Sequence, residues 1–292
     1  MAPCRAPAID PLKPAPMPKL LTPAQVHAYG RDGFVFPVDV LTPDEVRACR
    51  GELEAWERER GAPIDFPEKS KSYLLFDWAD RLVHHPKILD AVEDVIGPDI
   101  LVYHSTLFLK EARTQAFVRW HQDSTYFYLD PHLHVTAWVA LSDASVEAGC
   151  MRALPGSHRW GAFEHDDRPE PMNMIRRGQG VSGRFDAESG TPMPVLAGQM
   201  SLHHTDLVHA SGPNDSDDRR IGLAISYIPA QVRPVGAVQP SALCVRGRDA
   251  GHFVPERRLG QPLSAQAFAQ HREALARFRA LQDAGFQPQG AA

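Results

Sequence analysis

Cysteine is scarce in this chain of 292 residues, and no two of its four cysteines lie close together. Cys4, Cys49, Cys150 and Cys244 are far apart, so the sequence contains no C-x-x-C motif. The N-terminus also lacks the charged and then apolar segment of a secretory signal peptide. These absences together predict reduced thiols and a cytoplasmic protein.

Long apolar runs and basic runs are absent as well. No apolar stretch approaches the roughly 20 residues that a membrane-spanning helix needs. The formal net charge is -5, and without a basic run nucleic acid is disfavoured as the main partner. A basic cluster suited to the phosphates of coenzyme A is missing too. We therefore expect a protein that acts on a small molecule, without nucleic acid or membrane, as a monomer or a homodimer.

The remaining composition is that of an ordinary globular protein, with 43% hydrophobic and 23% charged residues. Prolines crowd residues 1–19, which we expect to be a disordered, proline-rich arm because proline fits neither helix interiors nor central strands. Residues 20–284 are predicted to form a single domain, followed by a flexible tail, 285–292. Within the domain, residues 161–194 show little periodicity, which is typical of a functional, lid-like insert.

Helical patterns occupy the first third of the chain and the C-terminus, and alternating patterns lie between them. Thr22 and Thr42 each precede a proline and a capping Gln or Glu, so a helix is predicted to start at both places. The predicted helices are 22–30, 42–60, 86–96 and 264–284, and the predicted strands are 34–37, 101–110, 117–123, 133–141, 150–154, two within 195–209, and 220–228. Helices followed by many short strands indicate an α+β fold, a jelly-roll or cupin-like double-stranded β-helix with the N-terminal helices packed on the major sheet.

The clearest strand is 133–141, in which apolar residues alternate with His134, Thr136 and Trp138. Because side chains of a strand alternate between its two faces, one face is entirely apolar. We expect helices to cover that face and the other face to look into the barrel.

His121 and Asp123 lie two residues apart in a predicted strand, so both side chains should point to the same place. Such a pair is common by chance, and its meaning depends on a third ligand. His209 lies on a late predicted strand, which a jelly roll would bring opposite the early one. Two histidines and one carboxylate hold Fe(II) and leave coordination positions open.

A second histidine and aspartate pair, His204 and Asp206, competes for this role. It lies close to His209, so three ligands from one short segment would require a sharp turn. We therefore favour His121, Asp123 and His209.

Arg220 is the candidate anchor for an acidic cosubstrate. It shares a predicted strand face with Gly222, Ala224 and Ser226, whose small side chains leave room inside the barrel. A guanidinium pointing inward would be a buried charge that needs an acidic ligand. A dicarboxylate that chelates iron at one end and pairs with Arg220 at the other meets this need. Arg219 falls on the opposite face, where we expect a solvated charge.

The motifs resemble those of the phytanoyl-CoA dioxygenase family of Fe(II)/2-oxoglutarate oxygenases, which includes ectoine hydroxylase. The resemblance covers roughly residues 20–230. The matching segments are Asp32-Gly33-Phe34-Val35, Trp120-His121-Gln122-Asp123, the strand around Trp138, Pro155-Gly156-Ser157-His158, His209-Ala210-Ser211-Gly212, and Arg220.

The resemblance implies an enzyme that uses Fe(II), 2-oxoglutarate and O₂ and releases succinate and CO₂. His121, Asp123 and His209 would bind the iron. Arg220, helped by Ser211, would bind the distal carboxylate of 2-oxoglutarate, and Thr136 and Trp138 would line its pocket. Related halogenases have a small residue in place of the carboxylate ligand, which leaves a site for chloride, so Asp123 favours hydroxylation.

Other readings stay open. Desaturation, cyclisation and epimerisation would use the same residues, and a non-catalytic, cupin-like metal-binding protein would need no Arg220. The candidate substrate contacts are Tyr126, Tyr128 and His134, then His165, Arg168, Arg176 and Arg177 of the insert, and Tyr73, Phe76 and Trp78, which equally fit core packing.

Overall fold

The structure is a computed structural model, and it describes residues 17–166, 170–175, 180–181 and 185–285. Nearly all of the predicted arm and tail therefore lies outside the described residues, as do Arg168, Arg176 and Arg177. The single-domain boundaries stay a prediction.

Most of the described α-helices lie before residue 100, and the last one lies at the C-terminal end. The described α-helices are α1 Pro23–Asp32, α2 Pro43–Arg60, α3 Asp77–Val83, α4 Pro86–Ile96, α5 Ser124–Phe127 and α6 Ala265–Gly285. The predicted capping boxes are confirmed, since Thr22 and Gln25 cap α1 and Thr42 and Glu45 cap α2.

The strands begin with a single one between α1 and α2 and then dominate from residue 100 onward. They are β1 Phe34–Asp39, β2 Ile100–Lys110, β3 Val118–His121, β4 Leu129–Asp130, β5 Val135–Ala140, β6 Met151–Ala153, β7 His165–Asp166, β8 Gly180–Val181, β9 Thr191–Met193, β10 Gln199–His204, β11 His209–Ser211, β12 Arg220–Pro229, β13 Arg233–Pro234, β14 Ser241–Arg246 and β15 Val254–Pro255.

Two sheets build the body of the protein. The larger has the strand order β1-β10-β5-β12-β2-β14-β15, and the smaller has the order β3-β11-β6-β9. Side chains from both sheets line one small chamber, so the sheets face each other there. Helices together with a large sheet agree with the predicted α+β class.

The main core lies between the helices and the outer face of the large sheet. Val135, Ala137 and Val139 of β5 are fully buried there, in one cluster with Ile88 and Val92 of α4. The predicted apolar face of this strand is therefore confirmed. Burying a Val or Ile side chain contributes about 1.5–3 kcal/mol, so this contact holds α4 on the sheet.

Three sequence predictions need correction. The strand predicted for 117–123 ends at His121, and Asp123 adopts helical dihedrals just before α5. The segment 195–209 contains one strand of the large sheet, β10, where two were predicted. The strand β14 was missed, because its short apolar run, residues 241–243, pairs with the distant β2 and carries no local hairpin signal.

A buried ion pair fastens β14 to the rest of the molecule. Lys71 Nζ lies 2.6 Å from Glu256 Oε1, and both side chains are almost fully buried. The hydroxyl groups of Tyr73 and Ser241 donate hydrogen bonds to the same carboxylate. Tyr73 therefore belongs to this cluster.

Phe76 and Trp78 lie in the main core, and neither they nor Tyr73 line the cavities of the site. Packing is thus the right interpretation for all three. No helix in the described ranges combines the length and the apolar character needed to cross a membrane.

Candidate active site

Three side chains at one end of the strand pair β3–β11 converge at the inner face of the small sheet. His209 of β11 pairs in register with His121 of β3. Asp123 Oδ1 lies 3.4 Å from His121 Nε2 and 3.9 Å from His209 Nε2. One ligand atom from each residue lies within 4.8 Å of the others, a separation that a single metal ion can bridge.

Hydrogen bonds to the backbone fix both imidazole rings. His121 Nδ1 is 2.8 Å from the carbonyl oxygen of Arg119, and His209 Nδ1 is 2.9 Å from that of Leu207. A carbonyl can only accept, so each Nδ1 carries the proton and donates it. In a neutral ring each Nε2 atom then carries the lone pair, which is the tautomer that binds metal.

The two oxygens of Asp123 have different surroundings. Oδ2 accepts a hydrogen bond of 2.9 Å from the Thr136 hydroxyl and lies 3.3 Å from His203 Nε2. Oδ1 faces the two ligand histidines. The carboxylate is therefore held so that one oxygen can bind a metal. Thr136 was predicted to line the cosubstrate pocket. It lines the small chamber between the sheets, and its hydroxyl is engaged with Asp123.

The protonation states suit metal binding. Burial alone would raise the pKa of Asp123, but His121 and His203 hold that pKa well below its usual value. Burial, with His121 and His203 nearby, lowers the pKa of His209 well below its usual value. At neutral pH the site thus offers an ionised carboxylate and a neutral imidazole, the forms that bind a cation.

The competing pair His204 and Asp206 is engaged elsewhere. His204 Nδ1 accepts a hydrogen bond from the Asp206 amide, and the Asp206 carboxylate lies 2.9 Å from His132 Nδ1. Within the described ranges, His121, Asp123 and His209 form the sole group of three with metal-binding spacing.

A small chamber extends from these residues to Arg220, whose side chain is fully buried. Arg220 Nη1 donates to the Gly149 carbonyl oxygen at 2.7 Å, and Nε has no hydrogen-bond partner. No carboxylate of the described residues pairs with this guanidinium, and burial lowers its pKa to about 10. The inward orientation is therefore as predicted, and an anion at this end of the chamber would give the guanidinium a partner.

Trp138 forms one wall of the chamber. Its ring lies 5.3 Å from the Arg220 guanidinium. A Cβ atom on Gly222 would lie only 1.9 Å from the ring. The room left by Gly222 is thus filled by the indole, whereas Ala224 and Ser226 line the larger cavity described below.

Lys110 is a second buried basic side chain at this end, and sequence reasoning missed it. It pairs with Arg220 across β2 and β12. Its Nζ donates to Ser211 Oγ at 2.8 Å and to the Gly212 carbonyl oxygen. Burial, with Arg220 nearby, lowers its pKa to about 6. The sequence did contain a signal for it: Lys110 has an even position in β2, which places its side chain on the same face of the strand as Thr106 and Phe108.

A larger cavity of about 400 Å³ opens on the other side of Asp123. Tyr126 lines it, as predicted. Tyr128 and His134 do not, because the helical turn α5 places Phe127 over His134, with ring centroids 4.9 Å apart. The structure thus places neither side chain at this cavity, and their contact with a substrate stays a prediction. Helix α6 forms part of the wall of this cavity. This was not predicted, because nothing in the sequence of that helix distinguishes a cavity wall from ordinary packing.

The insert is fastened to the metal site through Gln122. Its side-chain amide donates to the carbonyl oxygens of Gly161 and Asp206 and accepts from the Phe163 amide. His165 accepts a hydrogen bond from the Gln122 backbone amide at 3.3 Å and does not line either cavity. Met174 and Ile175, further along the insert, do line the larger one.

Comparison with known proteins gives a family match over most of the chain. Residues 29–222 match the family model described as Phytanoyl-CoA dioxygenase (PhyH). A probable alpha-ketoglutarate-dependent hypophosphite dioxygenase from Stutzerimonas stutzeri is 32% identical over 194 residues, 64% of this chain and 66% of the relative. An L-proline trans-4-hydroxylase from Streptomyces griseoviridis is 26% identical over 251 residues, 78% of this chain and 93% of the relative. The first match thus spans slightly less than two thirds of that relative.

Solved structures agree with this assignment. The non-heme monooxygenase ThoJ, in its apo form, has a TM-score of 0.80 and 36% identity, covering 89% of this chain and 98% of its own. The epimerase SnoN, in complex with Fe3+, alpha ketoglutarate and nogalamycin RO, has a TM-score of 0.59 and 25% identity, covering 84% and 96%.

The relatives, together with the cluster of His121, Asp123 and His209, confirm the predicted class of enzyme, a 2-oxoglutarate-dependent dioxygenase. They confirm its cofactors as well: Fe(II), 2-oxoglutarate (alpha-ketoglutarate) and O₂. The family match covers well over half of the chain. The chain belongs to the phytanoyl-CoA dioxygenase family.

Proposed function

We propose that this protein hydroxylates a small molecule, with Fe(II) held by His121, Asp123 and His209. Fe(II), when bound, supplies the redox chemistry that couples decarboxylation of 2-oxoglutarate to succinate and CO₂ with oxidation of the substrate by O₂. One observation carries the proposal. Two imidazole Nε2 atoms and one carboxylate oxygen converge at one end of a chamber whose other end is a buried guanidinium with no acidic partner among the described residues.

The chain's own residues then have distinct tasks. Arg220 binds the distal carboxylate of 2-oxoglutarate, and Ser211 with Lys110 supplies further donors at that end. Trp138 stacks beside the guanidinium and excludes water from it. The two facing sheets that hold these residues form, in our proposal, a double-stranded β-helix.

Hydroxylation is favoured over halogenation because Asp123 supplies the ligand position that chloride would need. The SnoN relative is an epimerase, so epimerisation is the second candidate. Product mass separates the two, since hydroxylation adds one oxygen atom and epimerisation adds none.

The direct test measures 2-oxoglutarate binding to the Fe(II) protein without O₂, followed by succinate release once O₂ and candidate substrates are added. In Arg220→Ala, we expect 2-oxoglutarate affinity to fall by at least about 30-fold, because losing one partner of a buried charge pair costs about 2–5 kcal/mol.

Arg219→Ala is the matched control. Arg219 lies on the outer face of the same strand and pairs with Glu57 and Glu111, so it is less solvated than we predicted. Its loss should leave 2-oxoglutarate affinity unchanged. Equal affinity in Arg220→Ala and the unaltered protein would refute the anchor. Binding of 2-oxoglutarate without succinate release on any substrate would favour a non-catalytic metal-binding protein.

A further inference from the structure

The larger cavity next to Asp123 has an apolar body and a polar inner end. Most of its lining is apolar or aromatic, contributed by Phe108, Tyr126, Phe127, Ile175 and Phe278 among others. Cavities of roughly 300–1,000 Å³ with this lining and a few polar groups hold small organic molecules. The cavity is thus built for a molecule with a substantial apolar part.

His104 is a buried polar group of this cavity for which no hydrogen bond is described. The ring is only 7% exposed and lines the cavity. Its Nδ1 has no hydrogen-bond partner among the described residues. Burial, with Lys71 nearby, holds the pKa of His104 well below its usual value, so the imidazole is neutral. Nδ1 is closed off from solvent, so a ligand in the cavity meets the ring at Nε2, for which no hydrogen bond is described either. A buried polar group without a partner is rare in proteins.

Strand register connects His104 to the metal site. His203, Thr136, Ser226 and His104 are direct neighbours on β10, β5, β12 and β2. The first two hold Asp123, and the last two line the cavity. Two strand spacings, about 10 Å, separate Thr136 from His104. A substrate that touches His104 and also reaches the metal must span a comparable distance.

The charged groups of the cavity lie at its mouth. Lys69 is partly exposed and pairs with Asp65 at 2.8 Å. Arg279 is exposed and lies over the ring of Phe66. Asp283 is exposed as well. Among the described residues, the inner part of the cavity therefore offers no cation or anion to a charged substrate apart from the metal site itself.

We propose that the substrate is an uncharged molecule with an apolar, ring-sized body and one hydroxyl group, which His104 hydrogen-bonds while Phe278 of α6 packs against the body. His104 and Phe278 stack on each other, with ring centroids 4.3 Å apart and planes 21° apart. The C-terminal helix thus fixes the plane of the His104 ring, which hydrogen-bonds the substrate. This inference rests on the proposed function, which places the reaction at His121, Asp123 and His209.

The test uses full-length protein loaded with Fe(II) and 2-oxoglutarate without O₂, and two fluorescent probes, 2-naphthol and naphthalene, which differ by one hydroxyl. We expect 2-naphthol to bind saturably and about fivefold to tenfold more tightly than naphthalene, the ratio of one net hydrogen bond. His104→Phe should abolish this preference while keeping naphthalene binding, and His104→Gln should retain most of it.

Two further variants separate the contributions. Phe278→Ala should weaken both probes alike, because the packing surface is lost and the hydrogen bond is kept. His27→Phe, at an exposed position of α1, should change neither. The absorption band of the Fe(II)–2-oxoglutarate complex, recorded before each titration, reports whether a variant is folded and loaded.

Failures of the two proposals are distinguishable. If the unaltered protein shows no absorption band of the Fe(II)–2-oxoglutarate complex, the proposed function is overturned. Probe titrations of the metal-free protein would still test the cavity. A normal band with binding of L-proline or hypophosphite, but of neither naphthalene probe, would overturn the substrate class. An undiminished preference for 2-naphthol in His104→Phe would overturn the role of His104.

Discussion

The residues around Asp123 divide between those that touch a metal and those that orient its ligands. Thr136 is of the second kind, since its hydroxyl donates to the oxygen of Asp123 that faces away from His121 and His209. Outer hydrogen bonds of this sort commonly contribute tenfold to a hundredfold in metal affinity.

Thr136→Val should therefore weaken Fe(II) binding by about tenfold to a hundredfold, because the side chain keeps its shape but loses the donor. Anaerobic titration with Fe(II) measures this. Ser226→Ala is the control, since Ser226 is the neighbour of Thr136 on β12 and has no described bond to Asp123. Equal losses in both variants would mean that Thr136 acts only through packing.

Lys110 makes stability depend on pH. Its pKa is lowered to about 6 in the folded protein and returns to about 10.4 on unfolding. Between these values the unfolded chain binds the extra proton, so the free energy of unfolding rises with pH, by at most about 1.4 kcal/mol per unit.

Without metal and 2-oxoglutarate, the unaltered protein should thus gain stability from pH 6 to pH 9 relative to Lys110→Met. Urea unfolding of both proteins at each pH gives the difference directly. A difference that is constant across this range would show that Lys110 stays charged in the folded protein.

At the scale of elements, the sequence predicted what depends on local pattern. Capping at Thr22 and Thr42 and the alternation in β5 follow from short-range chemistry, and all three are observed. What depends on distant pairing was missed. Strand β14 is recognisable only by its pairing with β2, and Lys110 gains its meaning only from Arg220 on the neighbouring strand.

The site shows the same division. Residue type and order were enough to nominate His121, Asp123, His209 and Arg220. The reason given for Asp123, strand alternation, was wrong, because a helical turn begins there. That turn also places Phe127 against His134, which therefore does not line the larger cavity.

The buried pair of Lys71 and Glu256 joins the C-terminal strands to β2. Glu256→Gln should destabilise the fold by about 3–5 kcal/mol, because Lys71 is left as a buried charge without a counter-charge. Denaturant unfolding measures the loss. Glu273→Gln, which removes an exposed ion pair with Arg277, should cost less than about 1 kcal/mol. Similar losses of unfolding free energy in the two variants would contradict a stabilising role for the buried ion pair.

At the scale of the whole molecule, ligands that bind only the folded state raise its stability. Fe(II) and 2-oxoglutarate should do so jointly, because a bound Fe(II) would attach one end of the cosubstrate while Arg220 binds the other. At 100 times the dissociation constant, the gain is about 2.7 kcal/mol.

We therefore expect the thermal midpoint to rise clearly with Fe(II) plus 2-oxoglutarate, and to rise much less with 2-oxoglutarate alone. A chelator should reverse the change. Differential scanning calorimetry without O₂ provides the measurement. Arg220→Ala should lose the 2-oxoglutarate increment and keep that of Fe(II), and an increment unaffected by this variant would argue against joint binding.

The unequal surroundings of the two Asp123 oxygens have a consequence for how many molecules the iron can hold at once. An octahedral ion bound by three protein atoms keeps three positions for other ligands. If both oxygens of Asp123 were bound, one of those positions would be lost. A chelating cosubstrate would then fill the remainder, and no vacancy would be left for O₂. Because Thr136 and His203 contact Oδ2, a bound Fe(II) would be held through Oδ1 alone, and 2-oxoglutarate and O₂ would then not compete for one coordination position.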